Sequence, residues 1–548
     1  MMRIAPFTVL LLPLVTLMGC AGLPEKLPES AFDVPATDVP ATDVPPPSDT
    51  LVDTAQCTDG DSQEGTAVCG LNDEGVLMQD CTDGAWGDNP TCTGTDVCTN
   101  GDGQEGATVC GLNNDSVYMQ DCTDGTWVDN ATCTDTFAVE CGVIGNFVAI
   151  EAGGNHTCAL TDKGTVWCWG DGKYGQLGNN LDEDANVPVQ VLWNPGGAGQ
   201  PEGPLDNISG IALGASFGCA LDTDQEIVCW GLGDNGQMGD GMDNSNNAPE
   251  SRVLWEKTGP DAVLTDVLSI AAGDQHACAL IGTKIRCWGS NSKKQLSHGS
   301  ISSSKVAIGV TLPNVQSIAA GGIHTCAVGD KNRTSCWGGN TFGQLGNDKG
   351  DSASTHKPDK VEYSNNMVDQ WKDTPKGLTA GGQYTCAWLD VPNESGRLGS
   401  CWGTNLKGQL GYGGSIPKFT LAEKKVSFVD DESFAGTMVV DGILDMSAGT
   451  HHSCARQAII NDVITICWGD NESGQLGNGS SQSFVTSPVY VITSHSFTQI
   501  AAGGAHTCGL TDTGHVYCWG DNNEGQLGTG VFAGTVNSPG AAVFCPGG

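Results

Sequence analysis

The sequence predicts an all-β protein built as a ring of seven small sheets, and three observations predict it. The stretch AGGNHTCALTDKGTVWCWGDGKYGQLG, from Ala152 to Gly178, returns six more times before the C-terminus. In each copy two runs of β-branched, aromatic and small apolar residues flank a short turn, which is a hairpin signal. Each copy also places one cysteine on either side of that turn. A hairpin of this size cannot bury an apolar face alone, so repeats of about 48–68 residues must stack to make a core. Gly-rich corners between β-units favour radial closure, which leaves only short, protected edges.

The turn sets the cysteine register. A three-residue loop in TDKG with Gly164 in the left-handed conformation puts Cys158 directly opposite Cys168. Directly opposed Cβ atoms on antiparallel strands lie about 4.5–5.5 Å apart, within small adjustment of a disulfide. The same logic pairs Cys219 with Cys229, Cys326 with Cys336, Cys386 with Cys401, Cys454 with Cys467 and Cys508 with Cys518. In the shortest copy Gly282-Thr283 is a two-residue turn that brings Cys278 to Cys287. The spacing drifts from nine residues (Cys278, Cys287) to fifteen (Cys386, Cys401) while the pairing persists, which a disulfide tolerates and a local metal motif does not. A zinc site using His156 and both cysteines is the competing reading. The matching position is His276, His324, His452 and His506 in four copies but Phe217 and Tyr384 in two, so the histidine reads as a packed, hydrogen-bonded structural residue.

The recurrent pattern GG.HT.AL…V..WG.N..GQLG resembles the regulator of chromosome condensation repeat. The resemblance covers about residues 141–548 and implies a seven-bladed β-propeller. The cysteine pair in every hairpin departs from the nuclear members and suggests an exported version. Bacterial relatives of similar architecture include propellers that inhibit secreted β-lactamases by binding across one face, which implies a binding role here.

Composition narrows the partners. The 548 residues hold 24 Lys and Arg against 64 Asp and Glu, a formal net charge of −40. Phosphate neutralisation needs clustered cations, so nucleic acid is excluded as a partner.

Read from the N-terminus, residues 1–19 are a lipoprotein signal peptide: a cationic start at Arg3, then an apolar run too short for a stable span. LMGC, ending at Cys20, resembles the bacterial lipobox and implies cleavage before Cys20 and acylation of its thiol, a durable membrane attachment. This places the protein at the bacterial cell envelope, on the outer membrane or cell surface. Residues 20–56, with DVPATDVPATDVPPPSD, form an extended acidic tether.

Two Cys-rich modules, 57–92 and 98–133, follow with a 41-residue period. Each is expected to be a small hairpin held by two internal disulfides of open connectivity. Asp59, Asp61 and Glu64, with Asn100, Asp102 and Glu105, hint at calcium loops, but their register does not match an EF-hand and a solvated acidic turn explains them. No metal and no cofactor is therefore assigned.

Of the 25 cysteines, Cys141 and Cys545 remain after Cys20, the modules and the hairpins are accounted for. They flank the propeller, and the tail VNSPGAAVFC resembles the Pro-Val segments after earlier copies. The expectation is that this C-terminal strand completes the first blade and that Cys141–Cys545 locks the ring. In the chain-entropy model a hairpin disulfide contributes roughly 3 kcal/mol and one closing the whole ring about 5.

Segments 190–209, 240–266, 347–376 and 411–443 vary most, and insertions in repeat proteins gather on one face, often the binding face. Trp193, Trp255 and Trp371 lie in or beside them and are binding candidates, with blade packing the alternative. The reading is a tethered binding or scaffold protein for an envelope or extracellular protein or glycan. No GxSxG elbow, zinc motif or phosphate loop supports an enzyme, and no catalytic residue is assigned. A propeller-fold hydrolase is one alternative. Nucleotide exchange, suggested by repeat similarity alone, is the other.

Overall fold

Short apolar runs on either side of seven tight turns yield seven antiparallel sheets, whose second and third strands are buried on both faces. The computed structural model describes six strands within residues 62–133 and the chain from 145 to 543, apart from 196–202, 256–261, 330–332, 349–353, 363–374, 391–396, 415–416, 420–425, 429–437, 461, 533 and 541–542. Blade one is the pattern for the rest. Its inner strand Phe147–Ala152 pairs with His156–Thr161, that with Val166–Gly170, and that with the outer strand Ala185–Gln190. Blades three to seven repeat this four-stranded order, while blade two has three ladder strands and meets its outer segment through isolated bridges at Asn246 and Arg252. No helix occurs among the described residues.

The predicted register is observed. Leu160 pairs with Val166 around Gly164, whose φ is 75°, and Cys158 faces Cys168. Ile281 pairs with Lys284 across Gly282-Thr283, and Cys278 faces Cys287. All seven hairpin pairs are disulfide-bonded, with Cα atoms 4.0–4.1 Å apart.

The core lies between blades, not within them. Each junction cluster combines the disulfide of one blade with the repeat tryptophan of the next: Cys158 and Cys168 with Trp230, Cys219 and Cys229 with Trp288, and so on to Cys508 and Cys518 with Trp169. The buried sulfur bridge therefore serves twice, joining its own hairpin and forming an apolar wall for the neighbouring indole.

Glycine permits the blades to approach at the axis. Gly153, Gly214, Gly273, Gly321, Gly381, Gly449 and Gly503 form a closed girdle, and a Cβ on any of them would lie within 3.0 Å of the carbonyl oxygen of the corresponding glycine in the next blade. Main-chain bonds tie the same turns together, from Gly154 N to Ala215 O (3.2 Å) through Thr450 N to Gly503 O (3.1 Å) and Gly504 N to Gly153 O (3.0 Å).

Two expectations are corrected. The C-terminal strand Thr535–Val536 pairs with Val516–Asp521 and so belongs to blade seven, while blade one supplies all four of its own strands. Blade one already had an outer strand in the segment after GQLG, and the tail instead packs Val543 into the seam between blades seven and one. Each Cys-rich module is a three-stranded antiparallel sheet rather than a hairpin, Ser62–Cys69, Gly75–Thr82 and Ala85–Cys92 in the first and Gly103–Cys110, Ser116–Thr123 and Thr126–Cys133 in the second. The chain divides into compact units at 1–97 and 98–548. Cys141 and Cys545 lie outside the described residues.

Gly273→Ala is expected to lower the unfolding free energy by about 2 kcal/mol or more, because backbone must move to admit the methyl group. Gly309→Ala, on an open stretch of outer strand, is expected to stay within about 0.5 kcal/mol of wild type in the same denaturant titration.

Candidate functional site

The polar residues that recur from repeat to repeat are the first place to look for chemistry, and most of them bond within the turns and seams of the ring. In each GQLG turn the glutamine side-chain oxygen accepts the main-chain N–H two residues earlier, at 2.7–3.0 Å, as Gln176 does from Tyr174. The main-chain carbonyl of the same glutamine accepts the indole N–H of the next blade's tryptophan at 2.8–3.1 Å. Trp230 donates to Gln176, Trp288 to Gln237, Trp337 to Gln295, Trp402 to Gln344, Trp468 to Gln409, Trp519 to Gln475, and Trp169 to Gln526. The last bond closes the circle.

A second donor joins at four of these carbonyls: the hydroxyls of Thr157, Thr325, Thr385 and Thr507, at 2.8–3.0 Å. A threonine that has spent its proton this way can only accept from the histidine beside it, at 2.8–2.9 Å: Thr325 from His276, Thr385 from His324, Thr507 from His452 and Thr157 from His506. These bonds assign the proton to Nε2 and leave Nδ1 bare. Burial holds His156, His276, His324 and His452 down to about 3 and His506 to about 4, so the rings are neutral throughout the physiological range.

The exceptions noted in the sequence are structural variants of the same joint. Tyr384 donates its hydroxyl to the His452 carbonyl and accepts from Ser453. Phe217 fills the histidine position with an apolar ring facing Ala277, and Gly218 lacks the hydroxyl that His156 would meet, so both His156 ring nitrogens lack a partner.

The strand order defines two faces. One carries the glycine girdle and the loops between third and outer strands, and the other carries the hairpin turns and the connections to the next blade. The long segments do not gather on one face as expected, since 240–266 runs through the outer-strand bridges of blade two, and 347–376 and 411–443 each contain an outer strand. Trp193 is half-buried against the seam of blades one and two with the Arg252 guanidinium 5.4 Å from its ring centre, and Trp255 packs at the seam of blades two and three under Arg286 at 4.4 Å. Both contribute to blade packing. Cys20 and Trp371 lie outside the described residues.

The axis encloses a channel of about 370 Å³ lined mostly by Ala and Gly of all seven inner strands. Glu151 and Asp274 bring carboxyls to it. Burial pushes Glu151 up to about 7 and raises Asp274. Among the described residues no group of three His, Cys, Asp or Glu is placed to hold a metal ion.

The regulator of chromosome condensation (RCC1) repeat matches at 163–221, 226–280, 336–388, 466–510 and 513–545, and a second form of the same repeat at 147–176, 208–237 and 497–526. The chain belongs to the RCC1-repeat family. This RCC1-repeat propeller is 28% identical over 393 residues to the ultraviolet-B receptor UVR8 of Arabidopsis thaliana, covering 70% of the chain and 78% of UVR8. It is 25% identical over 415 residues to the human (Homo sapiens) E3 ubiquitin-protein ligase HERC2, covering 73% of this chain but 8% of HERC2. Yeast RCC1 (Prp20), solved bound to Kap60, superimposes with a TM-score of 0.55 at 18% identity over 73% of this chain and 85% of that one, which shows a shared fold.

The titrations give opposed pH dependences. The five buried histidines have folded pKa values below the unfolded 6.5, so their stabilising effect is full above pH 6.5 and is lost as pH falls toward 3. Glu151 is raised above its unfolded 4.5, so its contribution is full below pH 4.5 and is lost as pH rises through about 7. Glu151→Gln is therefore expected to be more stable than wild type at pH 8 and equal to it near pH 4.5 by chemical denaturation. In that variant the resonances of His156, His276, His324, His452 and His506 should remain those of neutral rings down to pH 5 in the folded protein.

Proposed function

We propose that this protein is an exported, lipid-anchored binding or scaffold protein whose propeller engages an envelope or extracellular protein or glycan and performs no catalysis. The observation that carries the reading is the division of labour among side chains. The recurrent tryptophan, threonine and histidine bond across the seams and the recurrent glutamine and asparagine shape their own turns, while the chemistry that differs between blades lies on exposed loops. A rigid scaffold that presents variable loops is suited to recognition.

Seven buried hairpin disulfides support assembly in an oxidising compartment, and LMGC at Cys20 supports attachment to a membrane. Relatives named as a receptor and a solved complex with a protein partner support binding by propellers of this kind. Exchange activity on a nucleotide-binding protein rests on repeat similarity alone, and an exported chain would not meet such a partner.

The test is expression of the full chain in a bacterium with two membranes and radiolabelled palmitate. Wild type is expected in the membrane fraction, labelled and without free thiols in the propeller, whereas Cys20→Ser is expected unlabelled and soluble. A wild-type chain that remains cytoplasmic with reduced hairpin cysteines would refute the assignment.

A further inference from the structure

On the girdle face the loops of blades seven, one and two, residues 521–534, 171–184 and 232–245, carry nine carboxylates and one cation, Lys173; Asp240 is buried and Asp243 is paired with Lys305 of blade three, which leaves seven for a partner. The same three loops expose Tyr174, Leu181, Met242, Val531 and Phe532, each between 39% and 51% exposed. Large apolar side chains are seldom left in solvent together unless something covers them.

Main-chain bonds make the loops one surface. Gly530 N donates to the Asn186 carbonyl at 2.8 Å, and Asn180 N donates to the Asn247 carbonyl at 2.8 Å, joining blade seven to one and one to two. The carboxylates are fixed by the same architecture: Asp184 accepts from Gly172 N at 2.9 Å and Asp521 from the Gln526 amide at 2.9 Å.

We propose that the girdle-face loops of blades seven, one and two form a docking surface for a basic segment of another protein, one in which Lys or Arg alternate with large apolar residues. Charge selects this occupant. Seven open carboxylates repel phosphate-bearing and acidic surfaces, while a cationic segment pairs with them as its apolar side chains cover Tyr174, Leu181 and Phe532. Burial together with the neighbouring Asp184, Asp171 and Asp521 raises Glu524, and an incoming guanidinium or ammonium group relieves that repulsion. Neither a metal ion nor an anionic membrane satisfies both the apolar and the acidic components.

This inference rests on the binding role proposed above, and names its surface and partner chemistry. The experiment uses the full chain and a fluorescent 12-residue peptide alternating Lys or Arg with Leu and Phe, followed by anisotropy at low and high salt. Two control peptides replace its basic residues with Glu or its apolar residues with Ser. The basic–apolar peptide should bind, more weakly at high salt, and each control should bind at least about tenfold more weakly.

Asp182→Asn with Glu183→Gln, and separately Leu181→Ser with Phe532→Ser, should each weaken binding about tenfold while leaving the melting temperature unchanged. Ile460→Ser, 92% exposed on a hairpin turn of the opposite face, should bind as wild type. Equal binding of the Ser-substituted peptide, equal binding by both loop variants, or no binding of the basic–apolar peptide would overturn the assignment. The binding role would survive if cross-linking of the anchored full chain to an envelope partner persisted in those loop variants. It would fall if wild type cross-linked to none.

Discussion

The bond from each repeat tryptophan to the glutamine carbonyl of the preceding blade is the interaction on which the rest of the architecture depends. It is made seven times, and the seventh joins the last repeat to the first without any exchange of strands. The glutamine side chain folds back on its own turn, and the blades can approach closely enough for the indole to reach that carbonyl only because the girdle positions lack Cβ atoms. Remove that condition and the buried indole N–H loses its acceptor, a cost that falls on the junction core as well.

Covalent and non-covalent stabilisation are separated by direction. The disulfides run along the blade, between its second and third strands, and none of the described ones crosses a junction. What crosses the junction is burial, the carbonyl-centred hydrogen bonds and the girdle. Oxidation therefore makes each hairpin durable, while the ring is held by packing in which the sulfur bridges also participate. The neutral histidines complete this arrangement, since a charged ring could not sit bonded to threonine in an apolar seam.

The repeat is least regular over blades one to three, where Gly218 and Ala277 replace the hydroxyl-bearing residue and His156 is left without partners. Burying both nitrogens of an imidazole unpaired costs free energy, and this seam is correspondingly less well supported than the four that carry the full histidine–threonine joint. Two of the three loops on the acidic, apolar rim belong to blades on either side of it, so departures from the repeat in the interior and on the surface lie in the same sector.

The amino-acid sequence alone determined what is local in the chain. Seven hairpins, their cysteine register and the turns at Gly164 and Gly282 follow from paired apolar runs around a turn and from glycine's access to positive φ, both of which act within about ten residues. The structural role of the histidine was legible for the same reason, because Phe217 and Tyr384 at equivalent positions rule out a ligand. Tertiary structure alone decided what depends on the neighbouring blade: that Gln176 serves Trp230 some fifty residues away, that Trp193 and Trp255 pack against arginines, and that the C-terminal strand joins blade seven. It also decided that Glu151 faces an axial channel and that loops from 171–184 and 521–534 share one rim. The physical reason is ring closure, which brings residues together by rotation about an axis, and no periodicity along the chain encodes which polar or apolar side chains will meet across a seam.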